Sequence, residues 1–443
     1  MQLEMKDSIS IVGAGLVGSL LGLFLKQKGF SVDLFEKRKD PREAESTKGR
    51  SINLALSRRG ILPLEASGVY EKIAPNLIPM HGRMMHDRKG NLTFQPYGKQ
   101  GQFINSVSRA QLNEMLIQLA EEEGVQFHFN QKCKYVDFDD STLHFDEGKE
   151  IRTDLIIGTD GAFSVIRKHL QNTDRFNFSQ HFIEHGYKEL TIYSINDDFA
   201  LEPNYLHIWP RGNFMLIALP NNDKTFTCTL FFPFEGPLSF ASLRNDEEVI
   251  TFFEKYFSDT LELIPDLANQ FRSNPTSSLV MTKCFPWHKN TTILLGDAAH
   301  AIVPFYGQGM NSGFEDVRLF VEEAEKMNFK WSEFLERYSI TRKKDADAIS
   351  DLALHNFLEM RDHVANPNFL RRKELEAKIQ EAYPEEWIPL YSMVTFSDLP
   401  YSEALRLGKI QTRILDEFLS DDAKEINFEE IIKKFQTLRK VAS

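Results

Sequence analysis

Cysteine is scarce in this chain: among 443 residues there are three, Cys133, Cys228 and Cys284. They are isolated and odd in number, with no CxxC pair and no metal-ligand spacing. This excludes a disulfide framework and points to a reducing compartment. The histidines are scattered without ligand spacing, so no metal site is expected. Positive charge is in the minority, with 52 Lys and Arg against 64 Asp and Glu and a net charge of −12, which argues against nucleic acid or anionic lipid as the main partner. The basic stretches Arg342-Lys343-Lys344 and Arg371-Arg372-Lys373 are short, lie among carboxylates and read as solvated helix faces. No apolar run reaches the roughly 18 residues of a membrane span. The first residues lead almost directly into a strand with no basic-then-apolar leader, and the last helical stretch, 428–435, is charged throughout. A soluble cytoplasmic protein without a membrane anchor is expected. Internal repeats and low-complexity tracts are missing too.

What the chain does have is 42% hydrophobic composition, enough for a large core in more than one lobe, with a length prior of about three domains. Near its start the apolar run Ser8-Ile9-Ser10-Ile11-Val12 enters Gly13-Ala14-Gly15-Leu16-Val17-Gly18 and a helical stretch over 16–28. Strand, tight turn and helix are the parts of a dinucleotide fingerprint, whose helix start turns backbone N–H groups toward a pyrophosphate. A second strand, Ser31-Val32-Asp33-Leu34-Phe35, ends in Glu36, at the roughly 20-residue spacing where a carboxylate accepts from ribose hydroxyls. An ordinary βαβ unit is the plainer reading of this segment.

A second glycine-bearing turn lies far along the chain. The buried-strand pattern Thr291-Thr292-Ile293-Leu294-Leu295 runs into Gly296-Asp297, which puts a carboxylate at a strand end, where α/β sheets hold their ligands. There it can accept from the hydroxyls of a ribityl chain. Beyond it Pro304-Phe305-Tyr306-Gly307-Gln308-Gly309-Met310-Asn311 is a glycine-rich approach to a further helix, whose N–H groups can stabilise negative charge.

With these two turns and the DG-containing run Asp154 to Arg167, which holds Asp160-Gly161, the chain resembles the aromatic-hydroxylating flavoprotein monooxygenases along nearly its whole length. The resemblance implies an α/β fold: a glutathione-reductase-type, Rossmann-like FAD-binding lobe, a mostly antiparallel substrate sheet and a helical C-terminal part. It implies tightly bound, non-covalent FAD, NADPH that visits transiently without a dedicated domain, and O2 as co-substrate. The expected cofactor contacts are Gly13, Ala14, Gly15, Leu16, Gly18, Glu36, Lys37, Arg38, Ala55, Arg109, Asp160, Gly296, Asp297, Pro304, Gly307, Gly309, Met310 and Asn311. Arg109 resembles the arginine that contacts FAD phosphate, a helix-start arginine without a ligand being the alternative.

Within that family the runs 49–57, 82–85, 96–98, 214–220 and 355–360 are similar to the branch that hydroxylates L-kynurenine. This implies L-kynurenine as the small-molecule substrate. Its carboxylate calls for a planar, bidentate cation, and Arg83 is the candidate, unless it is a plain surface arginine. By the same resemblance Tyr97 donates to the carboxylate, while Asn356 and Tyr391 close around the head group; an interior tyrosine with one partner is the bland reading of Tyr391. Phe305, Met360, Met215, Ile217, Leu219 and Phe231 are expected to wall the ring, although apolar side chains of this kind are equally core. Asn356 and Met360 sit four apart and share a helix face. The loop Phe305, Tyr306, Gly307 and Gln308 is expected at the reacting atoms, with Tyr306 a departure from the smaller or histidine side chain of some relatives. The aromatic amine already makes the ring electron-rich, so no strong general base is demanded. His81 and His300 read as structural.

The expected organisation is an FAD-binding lobe from 1–72, 103–180 and 287–365, a substrate lobe from 73–102 and 181–286, and a helical region at 366–443, in a monomer or homodimer. Two rivals stay open: a hydroxylase of another aromatic, such as a phenolic acid or quinone precursor, and a non-catalytic binder on the same fold.

Overall fold

The computed structural model describes residues 7–43, 53–98, 101–358, 367–419 and 427–441. Its first sheet has six strands in the order His288–Lys289, Thr292–Leu294, Leu155–Gly158, Ser8–Val12, Ser31–Phe35, Gln126–His128, and all but the first pairing are parallel. Ile9, Ile11, Leu34, Ile156, Ile157, Ile293 and Leu294 have no exposed surface. A parallel sheet buried on both faces demands such continuous apolar strands. Three neighbouring strands end together at Val12, Gly158 and Leu294, so Gly13, Asp160 and Gly296 emerge side by side although they are far apart in sequence.

The second large sheet has seven strands: Thr276–Phe285, Asn177–Ile192, Phe226–Pro233, Met215–Pro220, Leu206–Pro210, Gly82–His86 and Leu92–Pro96. It is antiparallel except where Leu206–Pro210 runs parallel to Gly82–His86. The strand Asn177–Ile192 crosses the expected lobe boundary at 180. Alternation splits the sheet into two faces. Leu190, Ile192, Leu216, Ala218, Cys228, Leu230 and Phe232 pack on the helices Asp246–Tyr256 and Leu267–Ser273. Met215 and Phe231 instead join the apolar cluster of the C-terminal helices. Two smaller three-stranded sheets, one over Asn53–Leu56, Ile104–Ser108 and Ile78–Met80 and one over Cys133–Asp137, Thr142–Phe145 and Glu150–Arg152, complete the β structure of the described residues. Neither was legible from periodicity, because strands of three to five residues carry too few alternations.

The glycines of the first turn divide by what surrounds them. Gly13 has φ +111°, and a Cβ there would lie 2.6 Å from the Thr159 carbonyl oxygen. A Cβ on Gly18 would strike the Gly13 carbonyl and come within 2.6 Å of Thr159 Oγ1. Both are required by chain-on-chain packing. Gly15 is different: nothing lies within 4 Å of its would-be Cβ. Gly18→Ala is therefore expected to destabilise the cofactor-free protein by about 1–3 kcal/mol through overpacking, while Gly15→Ala changes it by less than about 1 kcal/mol. Urea unfolding of the FAD-free variants checks this, and equal losses for both would refute the division.

Candidate active site

Two far-apart motifs meet through one side chain. Val17, inside the first turn, packs against both Gly296 and Gly313: a Cβ on Gly296 would stand 3.0 Å from Val17 Cγ2, and one on Gly313 2.7 Å from the same atom. The first turn, the Gly296-Asp297 turn and the helix Gly309–Lys326 therefore form one cradle.

Its polar groups fit an extended dinucleotide. The space beside Gly15 is open. Asp297 opens the short helix Asp297–His300; it is exposed in surface terms yet surrounded by protein, as expected at the floor of a cleft. Burial pushes its carboxyl above the usual range against the pull of Arg109 and His300, and its side chain makes no hydrogen bond with the described residues. Arg109 begins the helix Arg109–Glu123 behind its Ser108 cap. Buried Ser57 Oγ, Asp160 Oδ1 and Arg167 Nε likewise lack partners among the described residues. At Gly309–Lys326 the first-turn N–H groups, those of Gly309, Met310 and Asn311, have no intrahelical acceptor, and Gly307 turns into them with φ +66°.

Several side chains expected at the cofactor also carry structural bonds. Glu36 accepts from the Ala14 N–H at 3.0 Å and the Arg38 N–H at 2.9 Å, so it closes the turn itself. Asp160 accepts from the Val165 N–H at 2.6 Å at the start of the helix Val165–Leu170, whose N-cap is Ser164; burial raises its carboxyl despite bonds from Ser164 and Val165. The Asn311 amide donates to the Ala55 and Gly307 carbonyls, both at 2.8 Å, and accepts from the Ser57 N–H at 2.9 Å. What Asn311 has left to offer a ligand is its backbone. Gln308 is buried and accepts from Tyr401 Oη at 3.0 Å, which turns its side chain into the helical region. Lys37 and Arg38 are exposed beyond the second strand, as is Pro304. Leu16 packs on the core, and Ala55 lies against Gly307.

Between the seven-stranded sheet and the C-terminal helices lies the other half of the site. The Arg83 guanidinium stands 5.0 Å from the Tyr97 ring centroid and 4.5 Å from that of Tyr391. Tyr391 stacks on Tyr97 at 5.8 Å and on Tyr306 at 5.6 Å, with interplanar angles of 14° and 19°. No carboxylate among the described residues pairs with Arg83. Burial opposes its charge, but Tyr391, Tyr97 and Tyr306 outweigh that and raise its pKa. The buried Tyr97 Oη has no partner among the described residues, and burial keeps its phenol well above the usual value, hence neutral. The strand carrying Arg83 is held from behind: His86 Nε2 lies 2.8 Å from His207 Nδ1, His86 Nδ1 lies 3.1 Å from Asp259, and Trp209 Nε1 donates to the same carboxylate at 2.7 Å.

Phe305 completes an apolar wall with Phe231 at 5.1 Å and Phe357 at 4.5 Å. Asn356 Nδ2 donates to the Phe305 carbonyl at 2.7 Å, so this amide positions the loop. Met215, Ile217 and Leu219 alternate along one strand and share the face of Arg83 and Phe231. Met360 lies outside the described residues. His81 is exposed against Phe103. His300 is buried, 2.6 Å from Asp316 and stacked on Trp287, a structural place.

One group escaped the sequence reading. Glu189 pairs across the sheet with Thr229, whose other neighbour is Ile217, so it sits on the cleft face near Arg109. Burial pushes its carboxyl up to about 7, with Arg109 opposing. Only the alternation of an acid between inward-facing Tyr187 and Thr191 could have signalled it.

Sequence and fold comparisons agree with this geometry. The family model of the FAD binding domain matches residues 6–353. Kynurenine 3-monooxygenase of Flavobacterium johnsoniae is 48% identical over 95% of this chain and 95% of its own length. The enzyme of that name from Dictyostelium discoideum is 44% identical over 97% of each chain, and that of Sus scrofa 46% identical over 93% of this chain and 88% of its own. Among solved structures, 2-methyl-3-hydroxypyridine-5-carboxylic acid oxygenase superposes with a TM-score of 0.68 at 19% identity, covering 82% of this chain and 94% of that one. PqsL of Pseudomonas aeruginosa does so with a TM-score of 0.66 at 19% identity, covering 80% and 97%; these two show the fold alone. With such identity to named relatives over more than nine-tenths of its length, the chain belongs to the kynurenine 3-monooxygenase family of FAD-dependent monooxygenases.

Proposed function

We propose that this chain hydroxylates L-kynurenine to 3-hydroxykynurenine, consuming NADPH and O2 with FAD as cofactor. The observation that carries the reading is Arg83: a guanidinium surrounded by protein, beside three tyrosines, and paired with no carboxylate among the described residues. Such a cation is suited to a ligand carboxylate, which it grips with two parallel N–H bonds. Tyr97, whose hydroxyl has no partner among the described residues, offers it to the same group. Phe231, Phe305, Met215 and Ile217 then keep water from an aromatic ring lying along the wall. In this reading Asp297 accepts from the ribityl hydroxyls, Arg109 faces the phosphates, and the N–H groups at Gly309 and Met310 meet the flavin. Bound FAD supplies hydride acceptance and oxygen activation, chemistry that no side chain here provides. Glu189 can exchange a proton near neutral pH at the edge of the cleft. A quinone precursor without a carboxylate would leave this aromatic-walled cation and Tyr97 without a purpose; against a phenolic acid, which could fill them, stands the identity to relatives named kynurenine 3-monooxygenase.

Three measurements test the reading. NADPH oxidation should rise on adding L-kynurenine and yield the 3-hydroxylated product; turnover that ignores kynurenine would exclude it. Arg83→Met should keep its FAD but lower kcat/KM for L-kynurenine by roughly thirty- to a thousand-fold, the 2–4 kcal/mol of a lost charge-assisted pair. A decarboxylated analogue should lose far less, and a similar loss for both substrates would make Arg83 a structural residue. For Glu189 the sign follows from linkage. The fold raises its carboxyl from 4.5 to about 7, so the folded state binds the proton more tightly, and stability falls as pH rises between these values. The Tm advantage of FAD-free Glu189→Gln over its parent should therefore grow from about pH 5 to about pH 8; a constant difference in calorimetry would mean that Glu189 titrates normally.

A further inference from the structure

Tyr391 lies on the helix Leu390–Phe396, beyond the residues matched by the FAD binding domain model. A seven-residue helix is too short to hold its own shape in water, and its last carbonyls have no intrahelical donor. In this chain they are met from another part of the fold. Arg59, on the helix Arg58–Ala66 of the FAD-binding lobe, is 1% exposed. Its Nε donates to the Val394 carbonyl at 2.7 Å, and Nη2 reaches the carbonyls of Leu399 and, at 3.4 Å, Met393. Nη1 donates to Glu315 at 2.5 Å, and the guanidinium lies 4.0 Å from the Tyr401 ring centroid. One planar fork thus spans two carbonyls at the end of the Tyr391 helix, the Leu399 carbonyl just beyond it and a carboxylate of the helix Gly309–Lys326, whose start belongs to the cofactor cradle.

We infer that Arg59 is a positioning residue for substrate: by capping the helix Leu390–Phe396 from the FAD-binding lobe, it sets Tyr391 against Arg83 and so shapes the carboxylate subsite. This rests on the reading of Arg83 given above. The opposite wall is fixed independently by the His86, His207 and Asp259 bonds behind Arg83. Tyr391 is held at its ring by other rings and by Arg83 itself, through ring contact and a side-chain hydrogen bond, so its placement follows from the helix that carries it. Lysine cannot replace the fork, since its three donors radiate from a single atom and cannot span carbonyls and carboxylate together.

The test uses the FAD-loaded enzyme with L-kynurenine and its decarboxylated analogue. Arg59→Lys should retain FAD and raise KM for L-kynurenine about tenfold, the scale of a misplaced contact, with less than about a twofold change for the analogue. In a Tyr391→Leu background the same change should add less than about twofold, because partners acting through one group are not additive. Ser397→Ala removes the 2.6 Å bond from Ser397 Oγ to the Met393 carbonyl and the weaker 3.3 Å bond that Oγ accepts from the Leu399 N–H at the same helix end, and disturbs no buried charge. It should shift KM in the same direction by about two- to threefold, within the energy of one hydrogen bond. Equal KM rises for both substrates, or full additivity with Tyr391→Leu, would overturn the inference. So would failure of Arg59→Lys to hold FAD together with an unchanged KM in Ser397→Ala. Arg83→Met run alongside separates the cases: if it too harms both substrates equally, the carboxylate reading itself is at fault.

Discussion

Buried charge joins the parts of this molecule. Asp316, with no exposed surface, accepts from the Gly296 N–H at 3.1 Å, lies 2.6 Å from His300 Nε2 and accepts from Arg342 Nε at 2.7 Å. Its neighbour Glu315 meets Arg342 at 2.7 Å and Arg59 at 2.5 Å. Burial disfavours both carboxylates as anions, yet His300 and Arg342 for Asp316, and Arg342 and Arg59 for Glu315, hold them below their ordinary values. Ions taken out of water are tolerable only while every partner is in place, and losing one leaves the others uncompensated at a cost of several kcal/mol. The consequence is geometric. The Gly296-Asp297 turn, the start of the helix Gly309–Lys326 and the helix bearing Tyr391 all end on this one network and cannot shift separately.

The site built on that joint separates its tasks. Polar groups stand at its ends: backbone N–H groups, Asp297 and Arg109 on the side proposed for the cofactor, Arg83 and Tyr97 on the side proposed for the substrate head group. The middle is apolar, from Met215 and Phe231 on the sheet to Phe305 and Phe357. Exclusion of water suits chemistry performed by a cofactor, because side chains are then asked for orientation and dielectric and not for bond making. Glu189 is the exception at the edge, a carboxylate kept close to neutrality by the same apolar surroundings.

Tyr306 shows how a departure in sequence is absorbed. In the fold its ring continues the Tyr97 and Tyr391 stack beside Arg83, extending an aromatic surface that favours a cation.

Local pattern determined what depends on neighbours in the chain. The turn at Gly13, the helix Arg109–Glu123 behind its Ser108 cap, the strand before Gly296 and the family's cofactor follow from residues within a few positions of one another, since tight turns, caps and buried strands are short-range demands of backbone sterics and hydrogen bonding. So does Arg83, through the run that surrounds it. The tertiary structure alone decided which polar side chains remain free for a ligand. Glu36, Asp160, Asn311 and Gln308 resemble cofactor or reaction contacts in sequence, and each also makes hydrogen bonds within the fold, while Asp160 Oδ1 stays without a partner among the described residues. Arg59 and Glu189, unremarkable in sequence, acquire their places from strands and helices that meet only after folding. Whether a donor or acceptor is satisfied is a property of its surroundings in space, and for these residues the surroundings lie from a few residues to 340 positions away.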